Sequence, residues 1–256
     1  MRGEHCIAGA SILTFMAMIL LVFANIGQIS SGAVTNGLHL VEVNVAAFGS
    51  AVLSANKQSS GLYNTKNTVM GASTGLRQYY RWGIYGACGY QKDNSGICNS
   101  TQFAYPFEPL ATLISDAPTS PTNYKTIINS IIPSTASAFK NNGWNHSLSV
   151  VGSALIFIGS ILTLLSFITG LVKHRLSFFV AAVSSGLSAF FLMVGAAIWT
   201  SIISKDSWLK QVKVQGSVAL GITVTAGPAL YLTWVSFVFV ALSVAPYVIS
   251  CCTFRK

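Results

Sequence analysis

The residues whose chemistry is easiest to state are the five cysteines, and two of them, Cys88 and Cys98, have nine residues between them. Two thiols at that spacing either oxidise to a disulfide or contribute to a metal site. A structural zinc asks for about four nitrogen or sulfur ligands, and the four histidines are scattered (His5, His39, His146, His174). A Cys88–Cys98 disulfide is therefore expected, and no metal site. Closing a loop of this size contributes roughly 2–3 kcal/mol by restricting the unfolded chain. Disulfides persist in oxidising compartments, so this stretch belongs outside the cytosol. Next to Cys98 stands Asn99-Ser100-Thr101, an N-glycosylation sequon. A second match, Asn145-His146-Ser147, abuts an apolar run and is not expected to be reached. Cys251 and Cys252 close the last apolar run beside Arg255 and Lys256, and Cys6 opens the first. Cysteines at a membrane edge are candidates for S-palmitoylation; inert small hydrophobes are the alternative.

No catalytic constellation accompanies these thiols. There is no glycine-rich phosphate loop after a strand, no His-Glu-x-x-His and no Gly-x-Ser-x-Gly. With six acidic residues in all, a general acid–base pair has little to be built from. The expectation is a protein that is not an enzyme and carries no cofactor. The net charge of +9 comes from scattered Lys and Arg with no basic run, which argues against nucleic acid as a partner. A mild basic excess suits a protein that meets anionic lipid.

The elements that must position these residues follow from composition. Apolar residues make up 52% and charged residues 8% of the chain, against about a quarter charged in soluble domains. Four runs approach the roughly 20 apolar residues that a bilayer core needs: residues 7–29, 147–172, 176–204 and 228–250. The first exceeds the apolar region of about 7–15 residues in a signal peptide, so a retained helix is expected. Pro228 stands at the start of the fourth, where a missing N–H costs little; Pro246 is placed to kink or end it. None of the four contains Asp, Glu, Lys or Arg, which argues against an ion path. Gly152, Gly159, Ser160, Thr163, Gly170, Ser184, Ser185, Ser188 and Gly195 are small residues that let helices approach closely in lipid.

The expected layout has a cytosolic N-terminus (1–6), a long extracellular loop (30–146), a cytosolic turn (173–175), a second extracellular loop (205–227) and a cytosolic C-terminus (251–256). Basic residues near spans favour the cytosolic side; Arg2, Lys173, Arg175, Arg255 and Lys256 obey this, whereas Lys205, Lys210 and Lys213 do not. Within the long loop, residues 38–45 alternate apolar and polar, as a half-buried strand does. Residues 46–76 are expected to be weakly structured, with one short helix at most. Tyr79 to Tyr90 is expected to form one strand, with a turn at residues 93–96 and a return strand near Ile97. On such a strand Trp82 and Tyr85 fall on opposite faces. Arg81 has Glu108 or Asp93 as possible partners, solvation being the commoner outcome. Residues 110–142 suit short helices, packed on the sheet or lying on the lipid surface. In the second loop, residues 218–225 alternate with a period of two and are expected to form a strand pairing with the first-loop sheet. The fold class is thus a membrane four-helix bundle with a small extracellular antiparallel sheet.

Gly83-Ile84-Tyr85-x-x-Cys88, followed by Cys98, resembles the Gly-Leu-Trp-x-x-Cys…Cys signature of claudin-like tetraspan proteins, with Tyr85 in place of the tryptophan. More closely, Arg81-Trp82-x-x-x-Gly86-Ala87-Cys88, Gln91-Lys92-Asp93, Cys98 and Ala104-Tyr105-Pro106-x-x-Pro109 resemble the fungal SUR/PalI family of cortical-patch membrane proteins, as does Ser31-Gly32-Ala33. The motif covers about thirty residues, and the four-span layout extends it to the whole chain. The resemblance implies a plasma-membrane protein that organises eisosome-type patches and supports cell-wall integrity, endocytosis and morphogenesis. PalI-like members instead assist ambient-pH signalling. Many members continue beyond the fourth helix into a long cytosolic tail, so tail-borne partner binding is not expected of these residues. The implied partners are membrane lipids and other membrane proteins, as a homo-oligomer or as an accessory subunit of a transporter, channel or cell-wall synthase.

Overall fold

The computed structural model describes residues 2–253 apart from Asn67, Lys173 and Gly216; the side chains of residues 2–6, Arg175 and 250–253 also lie outside the description. Nine helices and seven strands follow in chain order: α1 (Arg2–Asn25), α2 (Ala33–Gly37), β1 (Val41–Asn44), α3 (Phe48–Asn56), β2 (Tyr79–Trp82), β3 (Ala87–Tyr90), β4 (Gly96–Cys98), α4 (Pro109–Asp116), α5 (Tyr124–Ile131), α6 (Ser137–Lys140), α7 (Asn142–Leu171), α8 (Arg175–Asp206), β5 (Lys213–Val214), β6 (Val218–Ala219), β7 (Thr223–Ala226) and α9 (Pro228–Thr253), all counted among the described residues. A 3-10 turn spans Ser207–Gln211. The chain divides into a helical unit, residues 1–25, 151–198 and 229–256, and a sheet unit, residues 26–150 and 199–228.

Four helices are long and apolar enough to cross a membrane, over Ile7–Asn25, Asn142–Leu171, Leu176–Gln211 and Pro228–Ile249. At about 1.5 Å per residue even the shortest approaches the thickness of a hydrocarbon core. Leu171 and Arg175 bound the short α7–α8 turn. α9 neither stops nor breaks at Pro246, since in lipid-type helices neighbouring groups re-satisfy the freed carbonyl. The helical unit packs through small residues. A Cβ on Gly159 would sit 2.8 Å from Leu192, and one on Gly195 would sit 2.9 Å from the Gly152 carbonyl. Hydroxyls then join helices: Ser188 lies 2.7 Å from both the Gly159 carbonyl and Thr163 Oγ1, Ser166 donates to Ala181, and Thr14 meets the Tyr247 hydroxyl. Ile158, Ile161, Phe179, Leu187, Phe190 and Leu242 point outward and are exposed, as a surface solvated by lipid allows.

In the sheet unit a five-stranded sheet has the order β4-β3-β2-β1-β7, every neighbouring pair antiparallel. Val41 and Val43 on β1 and Tyr80 and Trp82 on β2 are fully buried, the period-two pattern of a one-sided sheet. α4 and α5 contribute buried Leu110, Leu113, Tyr124 and Ile128 to this unit's core, so these helices are packed inside it.

Four expectations need correction. Tyr79–Tyr90 is not one strand but the hairpin β2–β3, turned at Gly83–Gly86, where the Gly83 N–H donates to the Gly86 carbonyl. The opposite-face relation of Trp82 and Tyr85 therefore lapses. Residues 218–225 form two short strands broken at Gly221 (φ +73°). A Cβ there would sit 2.5 Å from the Ala47 backbone. Only the second piece, β7, joins β1, while β6 pairs with β5. Residues 46–76 contain the one short helix, α3, but the rest is not weakly held: the Leu76 N–H donates to the Leu62 carbonyl and the Asn64 N–H to the Leu76 carbonyl, and buried Arg77 donates to the carbonyls of Lys66 and Thr68. Finally, α1 ends at Asn25 rather than at residue 29, because Gln28 turns into the left-handed region (φ 58°) and enters the sheet unit.

Candidate functional site

The candidate site is the β2–β3–β4 hairpin and the segment that seats it. Its floor is Gln28. The Gln28 Nε2 donates to the carbonyls of Thr35, Asn36 and Leu38, at 2.7, 3.1 and 2.9 Å, and its Oε1 accepts from the Tyr90 hydroxyl at 2.9 Å. On this floor the hairpin turn comes into backbone contact. A Cβ on Gly83 would collide with the Gly27 carbonyl oxygen, and one on Gly86 would sit 2.8 Å from the Gln28 carbonyl oxygen. The two motif glycines thus stand where any side chain would lift the turn off its seat.

Cys88 and Cys98 are register partners on β3 and β4 and form a disulfide. Ala87 is buried beside them, and its carbonyl accepts from the Asn99 N–H. The chain then runs back along the turn: Gln102 donates to Tyr85 and Tyr105 to Ile84. Trp82 is fully buried and meets Phe107 edge-on at 5.0 Å, which in turn meets Trp199 at 6.0 Å. Tyr85 lies 6.2 Å from Phe103. Pro106 is half-buried. Pro109 is the first residue of α4, where its fixed φ suits a helix start. Glu108, just before it, lies 2.9 Å from His146 Nδ1, tying this segment to the beginning of α7.

Arg81 is neither solvated nor paired with Glu108 or Asp93. Its Nε donates to Glu42 Oε2 at 2.7 Å, with both side chains mostly buried (15% and 17% exposed). Its guanidinium also reaches Asn36 Oδ1 and lies 4.9 Å from the Tyr90 ring centre. The reason is register: Glu42 on β1 faces Arg81 on β2 directly, and opposite charges facing each other across a strand pair attract. Burial pushes the Tyr90 phenol up to about 12, although Arg81 and Gln28 pull the other way. Burial, then the nearby Arg81 charge, lowers His39 to about 4, with Glu42 opposing. A second polar knot joins Tyr80, whose hydroxyl donates to Asp116 at 2.7 Å. Burial raises the Asp116 carboxyl, while hydrogen bonds from Gly71 and Tyr80 and the Arg77 charge pull it down.

The Asn99 amide nitrogen, the atom that glycosylation would modify, donates to the Tyr105 hydroxyl at 2.7 Å, and Asn99 is half-buried. The other sequon asparagine, Asn145, is fully buried and donates to the Ala138 carbonyl. The side chains of Cys6, Cys251 and Cys252 lie outside the described residues. Among the described residues no three of His, Cys, Asp and Glu gather to hold a metal ion.

The SUR7/PalI family model matches residues 6–245. The chain belongs to the SUR7/PalI family. The match takes in the hairpin, the first three apolar helices and most of the fourth, so this is a multi-pass membrane protein of claudin-like tetraspan architecture. No curated protein matches the chain. Family-motif residues Arg81, Trp82, Gly83, Gly86 and Ala87 meet around the hairpin turn. Gln28 and Glu42, which hold Tyr90 and Arg81 from outside the motif, were not singled out from the sequence.

Proposed function

We propose that this family member is a structural plasma-membrane protein of fungal cortical domains, of the eisosome type, supporting cell-wall organisation, endocytosis and morphogenesis through lateral protein and lipid contacts. The observation that carries this reading is the contrast within one chain. A disulfide-stitched sheet unit ties Gln28 to Tyr90, Arg81 to Glu42 and Tyr80 to Asp116, and a helical unit turns large apolar side chains outward on its helices. Such a molecule works by being held in place and by being touched. The disulfide supports an extracytosolic sheet, with both termini cytosolic. Asn99 is then the glycosylation candidate and Cys6, Cys251 and Cys252 the palmitoylation candidates.

The test is the distribution of a fluorescently tagged full chain in fungal cells. Patches that recover slowly after bleaching support the reading; uniform, fast-recovering surface signal overturns it. Stoichiometric co-purification with a transporter, channel or cell-wall synthase would instead favour an accessory subunit, and altered ambient-pH signalling on deletion a PalI-like role.

A further inference from the structure

A cavity of about 360 Å³ lies within the sheet unit, lined by Ser137, Ala138, Asn141, Trp144, Lys205 and Trp208. The Lys205 ammonium stands 4.2 Å from the centre of the Trp144 ring. Asn141 Oδ1 is engaged by the Trp144 N–H at 3.0 Å, which leaves the Asn141 amide N–H groups as donors. The Ser137 hydroxyl and the two indole N–H groups add further donors, and none of the lining residues is acidic. The lining itself holds one cation and several donors, with the buried Asp206 carboxylate beside Lys205 outside it, and such a lining favours an anion. A quaternary ammonium ligand would seek the Trp144 face, which the Lys205 ammonium already covers.

The depth of the cavity identifies the anion's carrier. Trp144 lies at the beginning of the candidate span Asn142–Leu171, and Lys205 and Trp208 lie near the end of the candidate span Leu176–Gln211. Trp and Lys at the ends of spans mark the level of lipid headgroups. Trp208 is 37% exposed, offering an apolar face beside the cation. In the topology proposed above, Lys205 stands on the extracytosolic side, so the lipid would be one of that leaflet.

We propose that Trp144, Lys205, Trp208 and Asn141 form a binding site for the phosphate-bearing headgroup of an anionic membrane lipid. The site does not depend on which membrane domain the chain occupies. The test is native mass spectrometry of the full chain from mixed micelles holding equimolar phosphatidylinositol and phosphatidylcholine. The expected result is preferential retention of phosphatidylinositol by about fivefold, the worth of one lysine at an anionic surface. Lys205→Gln should bring the ratio near one, and Trp208→Leu should lower it in part. Lys92→Gln, at an exposed lysine elsewhere, should leave it unchanged. An unchanged disulfide and thermal midpoint show that the variants fold. Equal retention of both lipids by the unaltered chain, or a preference that survives Lys205→Gln, overturns the proposal. Displacement of the lipid by equimolar glycerol 3-phosphate would assign the site to a soluble phosphate and overturn the lipid carrier.

Discussion

The helical unit and the sheet unit solve the same problem in different solvents. In the helical unit the backbone satisfies itself, and its buried hydroxyls include several that bond a carbonyl of their own helix: Thr163 to Gly159, Ser184 to Val180, Thr233 to Ala229. Contacts between helices are made by small residues meeting closely. In the sheet unit several buried polar groups are held by partners far away in sequence: Gln28 by Tyr90, Arg81 by Glu42, Tyr80 by Asp116. The first unit is a set of locally complete pieces; the second is complete only when everything is in place. Damage to a single residue should therefore spread through the sheet unit and stay local in the helical one.

The largest effect should come from Gly83. A methyl group there would meet the Gly27 carbonyl, which is backbone, and then Gln28 Cβ at 3.1 Å. Gly83→Ala should cost about 3 kcal/mol, the upper part of the range for overpacking. It should appear as a lowered thermal midpoint in detergent and intracellular retention of a tagged chain. Next comes the disulfide. Cys88→Ser with Cys98→Ser should cost about 2–3 kcal/mol by releasing the β3–β4 loop in the unfolded chain. Limited proteolysis should cut first in residues 88–98, while the four apolar helices stay protected. If the helices become equally labile, loss of the disulfide is not confined to the sheet unit.

This contrast also explains how far the sequence could be read. Spans were legible because lipid demands a property that composition carries directly: long runs without charge. The Cys88–Cys98 link was legible because the two thiols are near in sequence. The strand 38–45 was visible from alternation, and β1 lies inside it. The hairpin turn at Gly83–Gly86 was missed because apolar Ile84 and aromatic Tyr85 read as strand, and the backbone that the turn packs against, Gly27–Gln28, lies more than fifty residues earlier. The Arg81–Glu42 pair was missed for the same reason. Its partner depends on strand register, which no local pattern states.

A smaller effect, with a definite sign, concerns acid. His39 titrates near 6.5 when unfolded and about 4 in the fold, chiefly through burial. A group whose folded value is depressed in this way favours the fold while neutral, so its contribution is full above pH 6.5 and is lost as pH falls toward 4. Asp116, raised by burial, works in the opposite sense and gains as pH falls. Comparing the chain with His39→Gln between pH 7 and 4.5 isolates the histidine. The variant should lose less thermal stability on acidification than the unaltered chain. Parallel loss in both would mean that His39 is wetter than its packing against Gly227 implies.

The smallest expected effect tests the helical unit on its own terms. Ser188 on α8 reaches across to α7, 2.7 Å from both the Gly159 carbonyl and Thr163 Oγ1. Thr163 also bonds Gly159 within α7, so Ser188→Ala leaves the threonine hydroxyl a partner. Bonds of this kind between membrane helices are worth about 0.6 kcal/mol on average and at most about 1.7. Ser188→Ala should therefore shift the thermal midpoint far less than Gly83→Ala does. The alanine is also small enough to keep the α7–α8 approach that Gly159 and Gly195 set. Ser188→Leu, which inserts bulk at the same place, should do clearly more harm than the loss of the hydroxyl. If alanine and leucine prove equally damaging, the hydroxyl rather than close approach holds these helices, and the distinction between the two units fails at its simpler end.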